Sequence, residues 1–457
     1  MNVIVCGAGQ VGFSIARYLS IEGNDVTVID RAPELIGRVN EALDVQAMVG
    51  NASEPAILAA ANADEADMII AVTYADEVNM VACQVAHSLF NVPTKIARIR
   101  QQSFLDPVWA DLFSRDHMPI DVIISPEVEV AKAIDRRLAV PGAFDMIPLA
   151  EDNVRVIGVR CSEKCPIINT PLRQLTELFP DLNVVVVGIS RDGNVRIPTS
   201  REQMLPGDEV YFVSETEHVN RVMEIFGHEE IEASRLVIVG GGNVGSYLAK
   251  MIEEREGVTA KIIEMDRERA RKIAETVPET TVLQGDIFDQ EILAESNIAS
   301  ADTIVAVTDD DETNVLGSLL AKQIGVKQAI ALVKRDSYAS LVTKLGVDIL
   351  VNPRTIIVSQ ILRHVRQGRI RSVYSLWEGF GEIMEAEVME TSPLVGATLG
   401  DKKLPRGVII GAIVRDRKVL IPRVDTDIRT GDRVILLAAT GTIREVEELF
   451  AVRLDFM

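Results

Sequence analysis

A segment built around three glycines occurs twice in this chain. The stretch VIVCGAGQVGFSIARYL (3–19) returns as LVIVGGGNVGSYLAKMI (236–252), and each copy carries the spacing G-x-G-x-x-G after a short apolar run. Further pairs of segments follow in the same order: 26–30 with 260–264, 47–58 with 282–293, 66–80 with 301–315, and 121–126 with 348–353. Self-similarity in a fixed order indicates that one domain has been duplicated.

Each copy alternates short β-branched runs with amphipathic stretches such as 76–90 and 311–325. This alternation predicts an α/β fold, a Rossmann-like, doubly wound parallel sheet with helices on both faces. A second repeat, 165–213 with 392–437, combines alternating strands, hairpin signals and a final amphipathic helix, which predicts a small α+β domain. The predicted domains are Rossmann-like at 1–124 and 233–352, crossover helix or linker at 125–142 and 353–371, and α+β at 143–228 and 372–457.

The glycine segments are predicted to form nucleotide-binding loops. The first glycine permits a tight turn, the second lets backbone approach a pyrophosphate, and the third lets the helix pack closely on the strand. The N–H groups and partial positive charge of the helix N-terminus then face the phosphates. The candidate residues of the two loops are Gly7, Ala8, Gly9, Gln10, Val11 and Gly12, and Gly240, Gly242, Asn243 and Gly245.

An acidic residue ends the predicted second strand of each copy, Asp30 in the first and Glu264 in the second. A carboxylate at this position accepts hydrogen bonds from the adenosine ribose hydroxyls and repels a 2′-phosphate, which favours NAD over NADP. The structural alternative is an exposed acid at a strand end.

The carboxyl ends of the other strands supply further candidates, because ligands of such folds bind there. They are Asn51, Thr73, Tyr74, Arg98 and Arg100 in the first copy, and Asp286, Thr308 and Lys334 in the second. Arg98 and Arg100 are expected to counter phosphate charge, the alternative being that they are surface residues. Arg98 aligns with Leu332, and only Arg100 has a basic counterpart, Lys334. The second site is therefore expected to bind phosphate differently, and more weakly.

The composition excludes several classes of protein. A net charge of −21 over 457 residues repels nucleic acid and anionic lipid headgroups. No apolar run reaches the about 18 residues of a membrane span, and the amino terminus begins with a strand rather than a signal peptide. These features predict a cytosolic protein without direct membrane insertion. The four cysteines and five histidines show no metal-ligand spacing, so no metal site is predicted.

No catalytic residue is predicted. A dehydrogenase needs an acid/base group beside the nicotinamide, yet 143–228 holds only His218 and His228, near its helical end, and 372–457 holds no histidine. Two nucleotide domains, each joined to a small β-rich module, favour a sensor whose packing changes with the nucleotide. Two other hypotheses stay open: an NAD-dependent oxidoreductase, and a scaffold whose nucleotide sites have lost function.

Several motifs are more specific than the glycines alone: GAGQVG, VGNAS, AVTYADEVNMVACQVAHSLFN, ARIR, VGGGNVG, AVTDDDETN and KLPRGVIIGAIVR. On these motifs the chain resembles, over essentially its whole length, the RCK (KTN) family of cytosolic regulatory subunits of bacterial Trk potassium uptake systems. The resemblance implies a non-enzymatic regulator that binds NAD(H) and also ATP and ADP. It further implies a homo-oligomeric ring, a tetramer, docked beneath a TrkH/TrkG-type potassium channel at the inner face of the cell membrane.

Relatives in this family that favour ATP carry an arginine within the glycine loop. This chain has Gln10 and Asn243 at those positions. The resemblance therefore implies NAD(H) as the ligand of the first site and leaves an ATP site open.

Overall fold

A computed structural model describes residues 1–179, 183–228, 232–365, 369–377, 379–396, 398–402 and 404–451. The chain forms two compact units. Unit 1 comprises residues 1–129 together with residues 354–365, and unit 2 comprises residues 130–353 and the described residues from 369 onward. Within these described ranges, no helix is both long enough and apolar enough to cross a bilayer.

Unit 1 contains a six-stranded parallel sheet with the order β3-β2-β1-β4-β5-β6. Its strands are β1 (Asn2–Cys6), β2 (Asp25–Asp30), β3 (Gln46–Val49), β4 (Met68–Ala71), β5 (Thr94–Arg98) and β6 (Val122–Ile124). The helices between them are α1 (Gln10–Ile21), α2 (Pro33–Ala42), α3 (Pro55–Ala60) and α4 (Asp76–Phe90), and α5 (Pro126–Leu138) runs from unit 1 into unit 2. The strand order reverses between β1 and β4, which creates a topological switch point at their carboxyl ends.

The central strands of this sheet are buried on both faces. Val5 and Ile70 are fully buried, and Ile15 and Leu19 of α1 cover the sheet with no exposed surface. Parallel strands covered by helices must be apolar on both sides, which explains their continuous runs of valine and isoleucine.

Unit 2 begins with the second half of α5 and an antiparallel sheet of order β10-β9-β11-β8-β7. Its strands are β7 (Ala143–Leu149), β8 (Val154–Arg160), β9 (Val184–Arg191), β10 (Asn194–Arg196) and β11 (Glu209–Glu215), with helices α6 (Leu172–Leu178) and α7 (Val219–Ile225). A hairpin turn that contains Asp192 joins β9 to β10, as the hairpin signals of this segment predict, since Arg191 pairs with Asn194 across it.

The second parallel sheet follows, with the order β14-β13-β12-β15-β16-β17. Its strands are β12 (Arg235–Val239), β13 (Thr259–Glu264), β14 (Thr281–Gln284), β15 (Thr303–Ala306), β16 (Gln328–Leu332) and β17 (Ile349–Val351). Its helices are α8 (Asn243–Glu253), α9 (Arg267–Ala274), α10 (Gln290–Glu295), α11 (Asp311–Ile324) and α12 (Asp336–Leu345), and α13 (Pro353–Val365) lies in unit 1 apart from its first residue. Each strand of the first sheet thus has a counterpart at the same place in the order, as duplication predicts.

The last sheet repeats the first antiparallel one, with the order β18-β19-β22-β20-β21. It contains β18 (Ile370–Leu376), β19 (Gly381–Glu387), β20 (Val408–Arg415), β21 (Lys418–Leu420), β22 (Arg433–Ala439) and helix α14 (Ile443–Phe450). Both antiparallel sheets contribute to one apolar core, which includes Val156 and Val213 from the first and Ile383 and Leu437 from the second. The predicted fold class, two Rossmann-like sheets each followed by an α+β domain, is confirmed.

Candidate functional site

The first glycine loop joins β1 to α1. Gly7 has a φ of 109°, a conformation that favours glycine, and a Cβ there would lie 3.0 Å from the Cα and N of Thr73. A Cβ on Gly12 would lie 1.8 Å from the carbonyl oxygen of Gly7, so α1 packs against the loop only through a glycine. A Cβ on Gly9 would meet nothing within 4 Å. The loop itself requires Gly7 and Gly12, whereas the surface at Gly9 is open to a ligand.

The second glycine loop, between β12 and α8, repeats this geometry. A Cβ on Gly240 would lie 2.9 Å from the N of Thr308, one on Gly245 would lie 2.0 Å from the oxygen of Gly240, and one on Gly242 would meet nothing. The N-cap residues of α1 and α8 are Gly9 and Gly242, so no N-cap side chain accepts a hydrogen bond from the first N–H groups of either helix. The N–H groups of each first turn therefore remain available, together with the positive end of the helix dipole.

Side chains differ in their access to these loops. Gln10 and Asn243, the first residues of α1 and α8, are exposed. Ala8 and Val11 are buried, so that only their backbone can reach a ligand.

Asp30 ends β2 beside the first glycine loop. Its carboxylate accepts hydrogen bonds from the backbone N–H groups of Ala8, at 2.7 Å, and Ala32, at 2.9 Å, and its side chain is half-buried. Two backbone donors hold the carboxylate in place and leave lone pairs for hydroxyl donors.

Glu264 occupies the same position at the end of β13 but is 4% exposed. Its carboxylate accepts from the N–H groups of Gly241, at 2.7 Å, and Asp266, at 2.8 Å. In addition, Nη1 of Arg269 lies 3.5 Å from both carboxylate oxygens. The acid of the second site is thus covered, and that of the first is not.

Asn79 on α4 ties the ends of β4 and β5 together and has no exposed surface. Its Oδ1 accepts from the N–H and the hydroxyl of Thr73, at 2.8 and 2.7 Å, and its Nδ2 donates to the carbonyls of Thr73 and Arg98, at 3.2 and 2.9 Å. The hydroxyl proton of Thr73 has two acceptors within the protein, Oδ1 of Asn79 at 2.7 Å and the carbonyl of Ala75 at 3.2 Å, so the hydroxyl can offer a ligand only a lone pair.

In the second copy, Asn314 on α11 makes the same hydrogen bonds to the ends of two strands. Oδ1 of Asn314 accepts from the N–H and the hydroxyl of Thr308, at 2.8 and 2.7 Å, and its Nδ2 donates to the carbonyl of Leu332 at 2.9 Å. The position of Arg98 is thus occupied by an apolar residue, and the backbone geometry is kept.

Two arginines lie at the end of β5 in the first copy. Arg98 donates from Nη2 to the carbonyl of Thr73 at 2.7 Å, and burial, followed by the charge of Arg100, holds the pKa of its guanidinium below the usual value. Nε of Arg100 donates to Glu127 at 3.1 Å, and its guanidinium lies 5.3 Å from the ring centre of Tyr74. Burial lowers the pKa of Arg100, but the hydrogen bond and charge of Glu127 outweigh it and raise that pKa.

The second copy also has two cations at this sheet edge, Lys334 at the position of Arg100 and Arg335 at the position of Gln101, and both are paired with acids. Nζ of Lys334 donates to the carbonyl of Asp309 at 2.7 Å and to its Oδ1 at 3.1 Å, and Nη1 of Arg335 donates to Glu312 at 3.1 Å. Asp309 occupies the position of Tyr74, which is 82% exposed in the first copy. Because Leu332 replaces Arg98 and Asp309 adds a negative charge where the first copy has Tyr74, the second site offers a phosphate less positive charge than the first.

Asn51 and Asp286 form turns after β3 and β14. Oδ1 of Asn51 accepts from the N–H and hydroxyl of Ser53, at 3.2 and 3.0 Å, and Oδ1 of Asp286 accepts from the N–H of Phe288 at 3.0 Å. The N–H of Gly50 also donates to the carbonyl of Asp30 at 2.9 Å, which keeps Asn51 beside the acid of the first site.

Four positioning residues escaped the sequence reasoning: Asn79, Asn314, Asp76 and Asp311. Asp76 is 7% exposed, and its Oδ2 accepts from the N–H groups of Arg100, at 2.9 Å, and Gln101, at 2.7 Å. Asp311 accepts from Lys334 and Arg335 in the same way. The repeated sequence D-E-x-N, which occurs at 76–79 and again at 311–314, could have identified these four residues.

All four cysteines are free and buried. Burial raises the pKa of Cys83 to about 12 and that of Cys6 further. Across the described ranges, no group of three or more His, Cys, Asp or Glu side chains could hold a metal ion.

The comparisons with known proteins agree with this architecture. The TrkA-N domain family matches residues 3–126 and 236–353, and the TrkA-C domain family matches residues 150–227 and 383–451. The chain is 51% identical to a Trk system potassium uptake protein TrkA of Azorhizobium caulinodans, with all of both chains covered. It is 38% identical to a protein of the same name from Vibrio alginolyticus, with 98% of each chain covered.

Solved structures with a similar fold come from the GsuK channel. The GsuK RCK domain matches with a TM-score of 0.60 and 18% identity, covering 99% of this chain and 95% of that one. The GsuK channel bound to NAD matches with a TM-score of 0.59 and 17% identity, covering 99% of this chain and 79% of that one. The duplicated glycine loops, the tandem of domain types and the full-length similarity lead to one conclusion: this chain belongs to the TrkA family of Trk system potassium uptake proteins.

Proposed function

We propose that this protein is a non-enzymatic regulatory subunit of a potassium uptake system, and that its Rossmann-like domains bind NAD(H) and adenine nucleotides. The observation that carries the proposal is the open surface at Gly9, next to a half-buried carboxylate that hydrogen-bonds the same loop. The open surface at Gly9 can accept a pyrophosphate, and the carboxylate of Asp30 can at the same time accept hydrogen bonds from the ribose.

In the first site, the N–H groups from Gly9 to Gly12 bind the pyrophosphate and Asp30 accepts from the ribose. Thr73 lies against Gly7, and Arg98 is hydrogen-bonded to Thr73, so both lie on the phosphate side of the loop. Arg98 and Arg100 counter the phosphate charge, while the exposed ring of Tyr74 and the turn at Asn51 border the ligand.

In the second site, the corresponding residues are Gly240, Gly242, Asn243, Gly245, Glu264, Asp286, Thr308 and Lys334. Binding of phosphate is weaker there, because Leu332 replaces Arg98 and the acidic Asp309 replaces Tyr74. ATP and ADP carry more negative charge than NAD(H), so we place them at the first site in preference to the second.

The partner is a TrkH/TrkG-type potassium channel, and this chain docks on the cytoplasmic side of the membrane as a homotetrameric ring. Family membership supports this part of the proposal, as does the shared fold of the RCK domain of the GsuK channel. Nucleotide binding changes the packing between the domains, and this change of shape gates the channel without any chemical step.

Calorimetry with NADH on the full chain tests the first site. Asp30→Ala removes the ribose acceptor, and we expect NADH binding to weaken about 10- to 100-fold. Asp25→Ala is the matched control, since it removes an exposed carboxylate at the opposite end of the same strand. Equal NADH affinity of Asp30→Ala and wild type would overturn the site assignment.

A further inference from the structure

The two ribose-binding acids differ in what lies over them. Asp30 is half-buried and held by two backbone N–H groups, whereas Glu264 is 4% exposed and also faces the guanidinium of Arg269. Arg269 is the fifth residue after Glu264, and the fifth residue after Asp30 is Leu35. An arginine therefore stands five residues after the ribose-binding acid in the second copy only.

An uncovered carboxylate selects against a 2′-phosphate because the two groups carry like charge. A guanidinium beside that carboxylate offsets its charge and can form paired hydrogen bonds with phosphate. The side chain of Arg269 is 55% exposed, and its contact with Glu264 is long, at 3.5 Å. The carboxylate of Glu264 keeps its two backbone N–H donors when this contact is lost, so the exposed guanidinium of Arg269 can turn toward a ligand.

We propose that Arg269 is a specificity-determining residue and that the second site accepts a dinucleotide phosphorylated on its adenosine ribose, of the NADP(H) class. The first site excludes this ligand through Asp30. The proposal rests on the proposed function, since it assumes that both loops bind dinucleotides.

Arg31 is the basic residue nearest in sequence to the acid of the first copy. It follows Asp30 directly, is exposed, and occupies the position of Met265. Among the described residues, Asp30 has no ion-pair partner, and its carboxylate is held by the backbone N–H groups of Ala8 and Ala32. The charge of Asp30 is thus not offset as that of Glu264 is.

The test uses the full chain with one site blocked at a time. Gly9→Val and Gly242→Val each add a side chain whose Cβ meets nothing within 4 Å, so each places methyl groups on the phosphate path from a position with open space around it. Calorimetry then measures NADH and NADPH binding to each variant. We expect Gly242→Val, which reports the first site, to prefer NADH by about 30-fold or more, and Gly9→Val to bind both within about threefold.

Exchanging Arg269 and Leu35 between the two copies tests whether these residues cause the difference in ligand preference. In the Gly9→Val background, Arg269→Leu should weaken NADPH binding about tenfold and leave NADH binding unchanged or tighter. In the Gly242→Val background, Leu35→Arg should reduce the preference for NADH. Equal preference of both single-site variants for NADH, or equal loss of both ligands on Arg269→Leu, would overturn the role of Arg269.

Binding stoichiometry of the unmodified chain provides a measurement that needs no variant. We expect two NADH molecules per chain but one NADPH. Two of each, or no NADPH at all, contradicts the proposal while the proposed function stands. Failure of Gly242→Val to bind NADH contradicts the proposed function itself.

Discussion

Gly9 and Gly12 stand three residues apart in the same loop but are glycines for different reasons. Gly12 lies against the carbonyl of Gly7, where a Cβ would come within 1.8 Å, and Gly9 borders open space. Packing requires a glycine at position 12, whereas a Cβ would fit at position 9, which we propose is kept open for the ligand.

This difference gives a prediction for two alanine variants. Gly12→Ala must push α1 away from the loop, so we expect the midpoint of thermal unfolding without ligand to fall by about 3–10 °C. Gly9→Ala should leave that midpoint within about 1 °C, yet reduce the stabilisation that millimolar NADH provides. Differential scanning fluorimetry measures both effects. Equal loss of intrinsic stability in the two variants would contradict the distinct roles.

The residues of the candidate site were predictable from the sequence to different degrees. The glycines and the acids at the ends of β2 and β13 follow from spacing along the chain. The contact between Arg98 and the carbonyl of Thr73 does not, because it joins two strands across the sheet. The cover that Arg269 provides over Glu264 was not predicted either, since it depends on the direction of a side chain.

At the scale of elements, α4 and its counterpart α11 act as clamps on the sheet. Asn79 and Asn314 are fully buried, and each connects its helix to two strand ends through four hydrogen bonds. The clamp fixes Thr73 and Thr308 beside the glycine loops.

Removal of a clamp should be costly. Asn79→Ala leaves buried N–H and carbonyl groups without partners, so we expect the free energy of unfolding to fall by about 2–4 kcal/mol. Glu77→Ala, an exposed change in the same turn of α4, is the control and should cost at most about 1 kcal/mol. Urea unfolding measures the difference. A loss at Asn79 no larger than at Glu77 would contradict the clamp.

The type of most elements was predictable, because the periods of apolar residues differ between helix and strand. The common core of the two antiparallel sheets was not. Strands such as β8 and β11 are buried on nearly every residue, since helices cover one face and the other sheet covers the second. Alternation along a strand gives no information on which distant sheet covers it.

At the scale of the whole molecule, an ion-pair network joins the two antiparallel sheets of unit 2. Arg433, 15% exposed at its side chain, donates to Glu151 at 2.6 Å and to the buried Glu385 at 3.2 Å. Glu385 also accepts from the N–H of Ala150 at 3.1 Å. The network connects residues from both halves of the duplication.

The two partners of Arg433, Glu385 and Glu151, differ in burial and should differ in their contribution to the free energy of unfolding. Arg433→Met leaves the carboxylate of Glu385 buried without its cation, so we expect a loss of about 3–5 kcal/mol in the free energy of unfolding. Glu151→Gln, at a 69% exposed side chain, should cost at most about 1 kcal/mol. Fluorescence of Trp377, whose ring lies 4.6 Å from that of Tyr211, reports on the contact between the sheets. Similar losses in the two variants would contradict this assignment.

Membership in the TrkA family confirms the prediction that this chain is not an enzyme, because its relatives are potassium uptake proteins. The predicted oligomeric ring and channel partner stay predictions. They concern surfaces between molecules, about which one sequence contains little physical information.

Potassium flux through the channel complex tests whether nucleotide binding by this chain gates transport. The full chain is co-purified with a TrkH-type channel, the proposed partner, reconstituted into vesicles, and assayed with and without NADH, ADP and ATP. We predict that nucleotides change the flux, and that a Gly9→Val/Gly242→Val double variant assembles with the channel but no longer responds. Flux that is independent of every nucleotide, or a double variant that responds like the wild type, would contradict nucleotide gating through these sites.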